Sequence, residues 1–227
     1  MGNYFCSFQE NRMVKVDFHS HTIFSNDSLT RPESLIAISR RRGLDRVVVT
    51  DHNTIAGALA AHALDPDLII IGEEIMTTCG EILAAFVTEE IPPGLSPQET
   101  IKRLRDQGAF IIVSHPFDRA RSGAWKMEGL LEIASLVDAI EIFNARSIIP
   151  GGNQQASDFA HQSHLPGTAG SDAHAAFELG AAMLVLPQFA SPDALRKVIR
   201  EGKVMGRLSP WWVHFFSRYA RLRKKVV

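Results

Sequence analysis

The sequence predicts an α/β fold, a single domain built as a closed barrel of seven or eight strands separated by helices. Three observations predict it. Short β-branched and apolar runs alternate with helical stretches almost from end to end. Those runs are apolar throughout instead of alternating with polar residues, the pattern of parallel strands buried on both faces. Histidines and acids also recur at the ends of at least five of them, and a barrel makes such residues converge where an open sheet would spread them along a line.

The elements follow in order. Val14–Phe18 reads as the first strand, followed by a polar loop to Asn26. Pro32 starts an amphipathic helix closed by Gly43. Arg46–Thr50 is the next strand and Ile55–Leu64 the next helix. Leu68–Ile71 and Ile82–Val87 read as buried strands on either side of a turn at Cys79-Gly80. Ser96-Pro97 starts a helix with Glu99 in its first turn, ending near Gly108. Phe110–Val113, Ala139–Phe143, Gly167–Ala169 and Met183–Leu186 complete the strands, with helices at about 126–134, 153–163 and 192–201.

Length and composition suit this reading. The chain has 227 residues, 45% of them hydrophobic, enough for one core. No apolar stretch reaches the ~18 residues of a membrane span, and no secretory signal pattern opens the chain. Cys6 and Cys79 lack metal-ligand or CxxC spacing, and a reducing, cytoplasmic setting is expected. The net charge is −1, of which +5 lies in the last ten residues, leaving the remainder at −6. That acidic body excludes a generally basic surface for duplex nucleic acid.

Four strings carry the chemistry: His19-Ser20-His21, Thr50-Asp51-His52, Ser114-His115-Pro116 and Gly170-Ser171-Asp172-Ala173-His174. Residues i and i+2 of an extended chain point the same way, so His19 and His21 can reach one ion, as can Asp172 and His174. Asp17 falls on the face of His19 and suits a carboxylate that fixes a histidine tautomer. Gly170 allows a close backbone approach. Asp27 sits in the loop Ser25–Ser28, where a turn aspartate is the competing reading. Glu73-Glu74 ends the Leu68–Gly72 strand, and two buried acids there are costly unless paired or metal-bound, so at most one is expected to point inward. Imidazole and carboxylate together are the ligands of borderline divalent metals, and the set predicts a multinuclear metal site.

In this order the strings resemble the PHP (polymerase and histidinol phosphatase) superfamily of metal-dependent phosphoesterases, through Asp17–Thr22, Thr50–Thr54, Ser114–Pro116 and Gly170–His174. The resemblance spans about residues 14–207 and implies a distorted (β/α)7 TIM-like barrel with two or three divalent ions in its mouth. It implies that His19, His21, Glu74 and Asp172 hold one ion, that Asp27, His52 and His174 hold a second, and that Glu74 bridges to a third at His115. Glu81 stands where many relatives carry a further histidine; either it is an oxygen ligand or the third site is weak or empty. Asp27, His52, Glu74 and His174 would do the catalytic work around a water that bridges the ions and attacks phosphorus in line. Manganese, zinc or iron suits these ligands, with magnesium a poorer match.

The resemblance implies a cytoplasmic phosphoric ester hydrolase, a phosphatase or phosphodiesterase, acting on nucleotides or short oligonucleotides. The alternatives are a histidinol-phosphate-type phosphatase and a non-catalytic, metal-stabilised module working with a nucleic-acid-processing partner. Arg119, Arg121 and Arg146 follow strand ends near the expected ligands and suit phosphate binding. Glu141 faces either the barrel or a buried hydrogen-bond partner, and His62, His161, His164 and His214 read as structural or solvent-facing.

The domain plan is an extension at residues 1–13, the barrel at 14–208, and a basic amphipathic helix at 209–227. The helix is expected to pack its aromatic face, Trp211, Trp212, Phe215, Tyr219 and Leu222, on the barrel with its cations in water. The other reading is a peripheral contact with an anionic membrane or single-stranded nucleic acid. No obligate protein partner is indicated.

Overall fold

A computed structural model describes residues 12–121 and 123–225. The strands are β1 (Met13–Ser20), β2 (Arg46–Val49), β3 (Ile69–Met76), β4 (Glu81–Ala85), β5 (Phe110–Val113), β6 (Ala139–Asn144), β7 (Gly167–Gly170), β8 (Ala182–Pro187) and β9 (Lys203–Gly206). The helices are α1 (Pro32–Arg41), α2 (Ala56–Leu64), α3 (Pro97–Asp106), α4 (Met127–Ile133), α5 (Gly152–Gln162), α6 (Pro192–Val198) and α7 (Val213–Lys225). Most of the expected extension, residues 1–11 with Cys6, lies outside the described residues.

All nine strands join one sheet in the order β7-β6-β5-β4-β3-β2-β1-β8-β9. Just beyond β7, a parallel bridge between Ser20 and Ala173 and the bonds Asp172 N–H to His19 O (2.8 Å) and His21 N–H to Ala173 O (2.9 Å) bring the exits of β7 and β1 together. Seven strands thus form a nearly closed, TIM-like barrel, with β8 antiparallel on the first half of β1 and β9 outside it. Among the described residues no helix is long and apolar enough to cross a membrane.

The interior is one buried cluster in which Phe18, Val48, Ile70, Leu83, Phe110 and Ile112 meet from five strands, sealed by Leu195 and Ile199. Outside, Ile101 and Leu104 of α3, Leu130 and Ile133 of α4 and Phe159 of α5 pack on Ile82, Ile111 and Val113. Leu35, Ala58 and Ala61 cover Val47, Val49 and Ile69. Each large side chain so buried contributes about 1.5–3 kcal/mol. Ser96 caps α3 by accepting Glu99 N–H at 3.2 Å, and Pro97 occupies the first turn, where its missing N–H costs nothing.

The expected parallel sheet is instead mixed. β4 runs antiparallel to both β3 and β5. The link between β3 and β4 is a tight turn in which Thr77 donates from N–H (3.0 Å) and Oγ1 (2.6 Å) to the Gly80 carbonyl; it is far too short for a parallel crossover. β9 was not foreseen, because its four residues are all exposed and carry no burial pattern. The C-terminal helix begins at Val213, later than Ser209-Pro210 suggests, because a turn closed by Val213 N–H on Pro210 O precedes it.

Candidate metal centre

One mouth of the barrel collects the chemistry. β1, β2, β5 and β7 deliver His19 and His21, His52, His115, and Asp172 with His174 at their C-terminal ends. β3 outruns β2, so Glu74 lies within a strand and not at its end as expected, bridged to His52. Because β4 is reversed, its N-terminal residue Glu81 opens onto the same mouth. A register shift between Asp17 and Ser20 breaks the alternation of β1 as a bulge does. Phe18 stays in the interior cluster, His19 and His21 turn to the mouth, and Asp17 is left elsewhere. Asp172 has φ +52° and Asn53, next to His52, has φ +54°; such left-handed conformations in residues with a Cβ are strained and gather at functional sites.

His19 Nε2 lies 3.1 Å from His21 Nε2, 3.4 Å from Glu74 Oε1 and 3.6 Å from Asp172 Oδ1. His21 Nε2 lies 3.3 Å from the same Asp172 oxygen and 3.5 Å from Glu74 Oε2. Ligands about 2.1 Å from a tetrahedral ion stand about 3.4 Å apart. Asp27 Oδ1 lies 3.3 Å from His174 Nε2 and 3.5 Å from His52 Nε2, and His21, His52 and His174 also converge. His115 Nε2 is 3.1 Å from Glu74 Oε1 and 3.5 Å from Glu81 Oε2. His52, Glu74 and Glu81 form a further convergent set. Glu74 thus touches every group.

The residues fit divalent metal. Asp27 Oδ1 and Asp172 Oδ1 are buried with no hydrogen-bond donor among the described residues, although buried carboxylate oxygens almost always have one, and Glu74 Oε2 has only the His52 Nδ1, at 2.9 Å, beside it. The imidazoles are aimed to match. His19 Nδ1 pairs with Glu141 Oε1 at 3.0 Å, His21 Nδ1 with Ser25 Oγ at 3.1 Å, and His174 Nδ1 with the Asp172 carbonyl at 2.8 Å. Each ring donates from Nδ1 and presents the Nε2 lone pair to the centre. Burial, reinforced by His174 and His52, pushes the His21 imidazole well below its ordinary value. Burial and then Arg146 also lower the His174 imidazole. Both rings are therefore held neutral, the state a ligand needs. Burial opposes a proton on His19, yet Glu74, Asp172 and Glu141 raise it well above the ordinary value, a surplus of negative charge facing one ring.

A second layer holds these groups. Glu141 Oε2 accepts His115 N–H (2.9 Å) and Asn144 Nδ2 (3.1 Å). Ser114 Oγ donates to Glu74 Oε1 at 2.9 Å. Asp51 accepts Thr22 N–H (2.7 Å) and Ser25 Oγ (2.6 Å), so it shapes the loop that carries Asp27 and is not itself turned to the centre. The tautomer of His19 is thus set by Glu141, and not by Asp17. Asp17 accepts Ser171 N–H (2.8 Å) and Gly180 N–H (2.9 Å), and its burial pushes it up to about 6. Of the two adjacent acids only Glu74 faces the centre; Glu73 is buried on the other face of β3, accepting Ile91 N–H at 3.0 Å.

The three arginines separate. Arg121 Nη1 sits 2.5 Å from Asp172 Oδ2 and its Nε 3.0 Å from Asp118 Oδ2. Arg146 is buried, donating to Ser217 Oγ at 2.7 Å with its Nε 3.2 Å from Glu178 Oε2. Arg119 is exposed and is not among the residues that line the cavity. That cavity measures about 560 Å³ and is lined by Asp27, His52, Glu81 and His174, by Arg121 and Arg146, and by α7. α7 is the part sequence reasoning missed. Its Arg221 donates to Asp27 Oδ2 at 2.7 Å, and Arg218 and His214 line the cavity, so His214 is neither a core nor a solvent-facing residue. His62 is structural, bonded to the Ile69 carbonyl at 2.8 Å.

Comparison with known proteins agrees with this geometry. The PHP-associated family model matches residues 150–204. The uncharacterized protein MJ1587 of Methanocaldococcus jannaschii is 37% identical over 145 residues, 58% of this chain and 82% of that protein. A second from the same organism, MJ0417, is 34% identical over 187 residues, 80% of this chain and 75% of its own length. In fold, the chain is similar to a two-domain protein from Bacteroides vulgatus containing a predicted PHP-like metal-dependent phosphoesterase, with a TM-score of 0.72 and 20% identity over 88% of this chain; it spans 66% of that protein. Motifs at the barrel mouth, the fold that gathers them and these relatives lead to one conclusion: this chain belongs to the PHP superfamily of metal-dependent phosphoesterases.

Proposed function

We propose that this chain hydrolyses phosphate esters of nucleotides or short oligonucleotides, using two or three divalent ions. The observation that carries the reading is the convergence of donor-free carboxylate oxygens and Nε2 lone pairs beside Arg121 and Arg146, at the floor of an open cavity. A phosphate ester is the substrate class that uses both a cation-binding floor and fixed guanidinium groups. Ions held there supply neutralisation of phosphoryl charge and water activation. The protein's share is positional. Glu141, Ser25 and the Asp172 carbonyl orient three imidazoles, and Glu74 ties the sets together. Arg121 balances Asp172, and Arg218, which forms no ion pair among the described residues, meets the incoming phosphate. The open cavity of about 560 Å³ accommodates a nucleotide or a short oligonucleotide. The nearly complete ligand set argues against a non-catalytic module.

The test is phosphate release from a nucleoside monophosphate, a short oligonucleotide, histidinol phosphate and a model diester, under manganese, zinc, iron or magnesium. Release from the nucleotide substrates with manganese, zinc or iron, lost in a His19→Ala/His52→Ala double variant, is expected. Full activity after chelation and desalting, or in that variant, overturns the reading; preference for histidinol phosphate overturns its substrate.

A further inference from the structure

α7 turns its small and polar side to the barrel and its aromatic side outward, the reverse of the expected packing. Its buried positions are Val213, Ser217 and Ala220. It is held by polar contacts: Arg146 to Ser217, Arg221 to Asp27, and Lys224 to the carbonyls of Ile23 and Ser25. On the free side Trp211 is 72% exposed, Leu222 65%, Tyr219 57% and Phe215 54%, beside Trp212 and Phe216. At 3.6 residues per turn, Phe215, Phe216, Tyr219 and Leu222 share an arc of about 120°. Contiguous apolar surface of this kind marks an interaction site.

Charge says what covers it. Residues 202–227 contain seven Lys and Arg and no acid. Arg221 and Lys224 are engaged with the barrel. Lys225 borders the aromatic arc and Arg223 stands near its C-terminal end, the arrangement of a helix that lies in a lipid headgroup layer with its rings immersed and its cations at phosphate level. A second copy fits poorly, because a symmetric contact would oppose the same cations with no acid to meet them. Single-stranded nucleic acid fits poorly too. Trp211 and Phe215 are inclined at 72°, and Trp212 and Phe216 at 60°, so the rings offer no parallel platform for successive bases. We propose that α7 and the Trp211-Trp212 turn seat this protein on an anionic membrane surface. Trp211 and Phe215 also line the catalytic cavity, so seating brings the mouth of the barrel to the bilayer.

The experiment is co-sedimentation of the full chain with phosphatidylserine/phosphatidylcholine vesicles and with phosphatidylcholine alone. The protein is expected to bind the anionic vesicles, to be released as salt rises from about 0.1 to about 0.5 M, and to leave the neutral ones unbound. A Trp212→Ser/Tyr219→Ser/Leu222→Ser variant is expected to bind about tenfold more weakly or worse. Arg223→Gln/Lys225→Gln, which leaves the apolar face intact, is expected to weaken binding at low salt and secures the test if the first variant does not fold by circular dichroism. No binding to anionic vesicles, equal binding to neutral ones, or full binding by both variants overturns the proposal. So does an oligothymidylate complex, or a concentration-dependent dimer, that the same substitutions abolish while vesicle binding persists.

Discussion

Gly170→Ala places one methyl group at the seam that closes the barrel. A Cβ there would lie 2.3 Å from the His19 Cβ and 2.9 Å from both His19 N and Glu141 Oε1. Ordinary carbon contacts are about 3.5–4 Å, so β7 and β1 must part by more than about 1 Å. His19 and Glu141 are in the way, and the Nε2 of His19 works at 3.1–3.6 Å from its neighbours; sites of this kind tolerate about 0.5 Å. Overpacking costs about 1–3 kcal/mol, while losing a glycine from the unfolded chain returns about 0.4–1 kcal/mol. The net loss is about 1–2 kcal/mol, or about 2–8 °C in Tm for a chain of this length. Manganese affinity should fall about tenfold or more, because the ligand and its orienting carboxylate are displaced together. The control is Gly129→Ala in α4, where the new Cβ meets nothing closer than 3.6 Å and helix propensity favours alanine by up to about 1 kcal/mol. Urea titration of metal-free protein and calorimetric metal binding read both effects. A Gly170→Ala protein as stable as the parent, with metal affinity within about twofold, would show that the β7–β1 seam has room for the methyl group.

Three further outcomes follow. Glu141→Gln keeps the shape but weakens the hold on His19 Nδ1, so metal affinity should drop about 10- to 100-fold with little change in far-ultraviolet circular dichroism; unchanged affinity would remove Glu141 from this role. His214 is pushed down to about 4 by burial and by Arg146 and Arg121, below the ~6.5 of a free imidazole. The unfolded chain therefore binds this proton more tightly, so the stability tied to His214 is full above pH about 6.5 and lost as pH falls through about 4. His214→Gln should flatten that acid limb of the denaturation midpoint relative to the parent, and identical limbs would contradict it. Arg218→Ala should raise KM for a nucleotide substrate by about tenfold with kcat nearly kept, since a binding contact is removed; a loss confined to kcat would reassign the residue.

Much of this was legible in the sequence for local reasons. The Ser96-Pro97 start of α3, the turn at Cys79-Gly80 and the apolar strands depend on near neighbours, and the structure has them. The direction of β4 was implicit in the shortness of its link to β3 but is overridden by the apolar pattern, which is the same in either direction. Asp17 was misread because a bulge in β1 cannot be seen in an i, i+2 count. Glu141 was ambiguous because strand alternation indicates a face and not the partner waiting there. α7 shows the limit most clearly. Helical periodicity identifies which residues share a face, yet the docked face is chosen by Arg221 and Asp27, 194 positions apart, and by Arg146, which reaches Ser217 71 positions on. Long-range pairs of this kind leave no trace in local composition.

The barrel mouth gathers the ligands of a multinuclear metal centre, tied together by Glu74. Elemental analysis of the purified chain, equilibrated with manganese and freed of loose metal, tests it directly alongside Glu74→Ala. Two or three ions per chain are expected in the parent and at most one in the variant, because Glu74 takes part in more than one of the convergent sets. A parent that holds no metal, or a variant that holds as much as the parent, would contradict it.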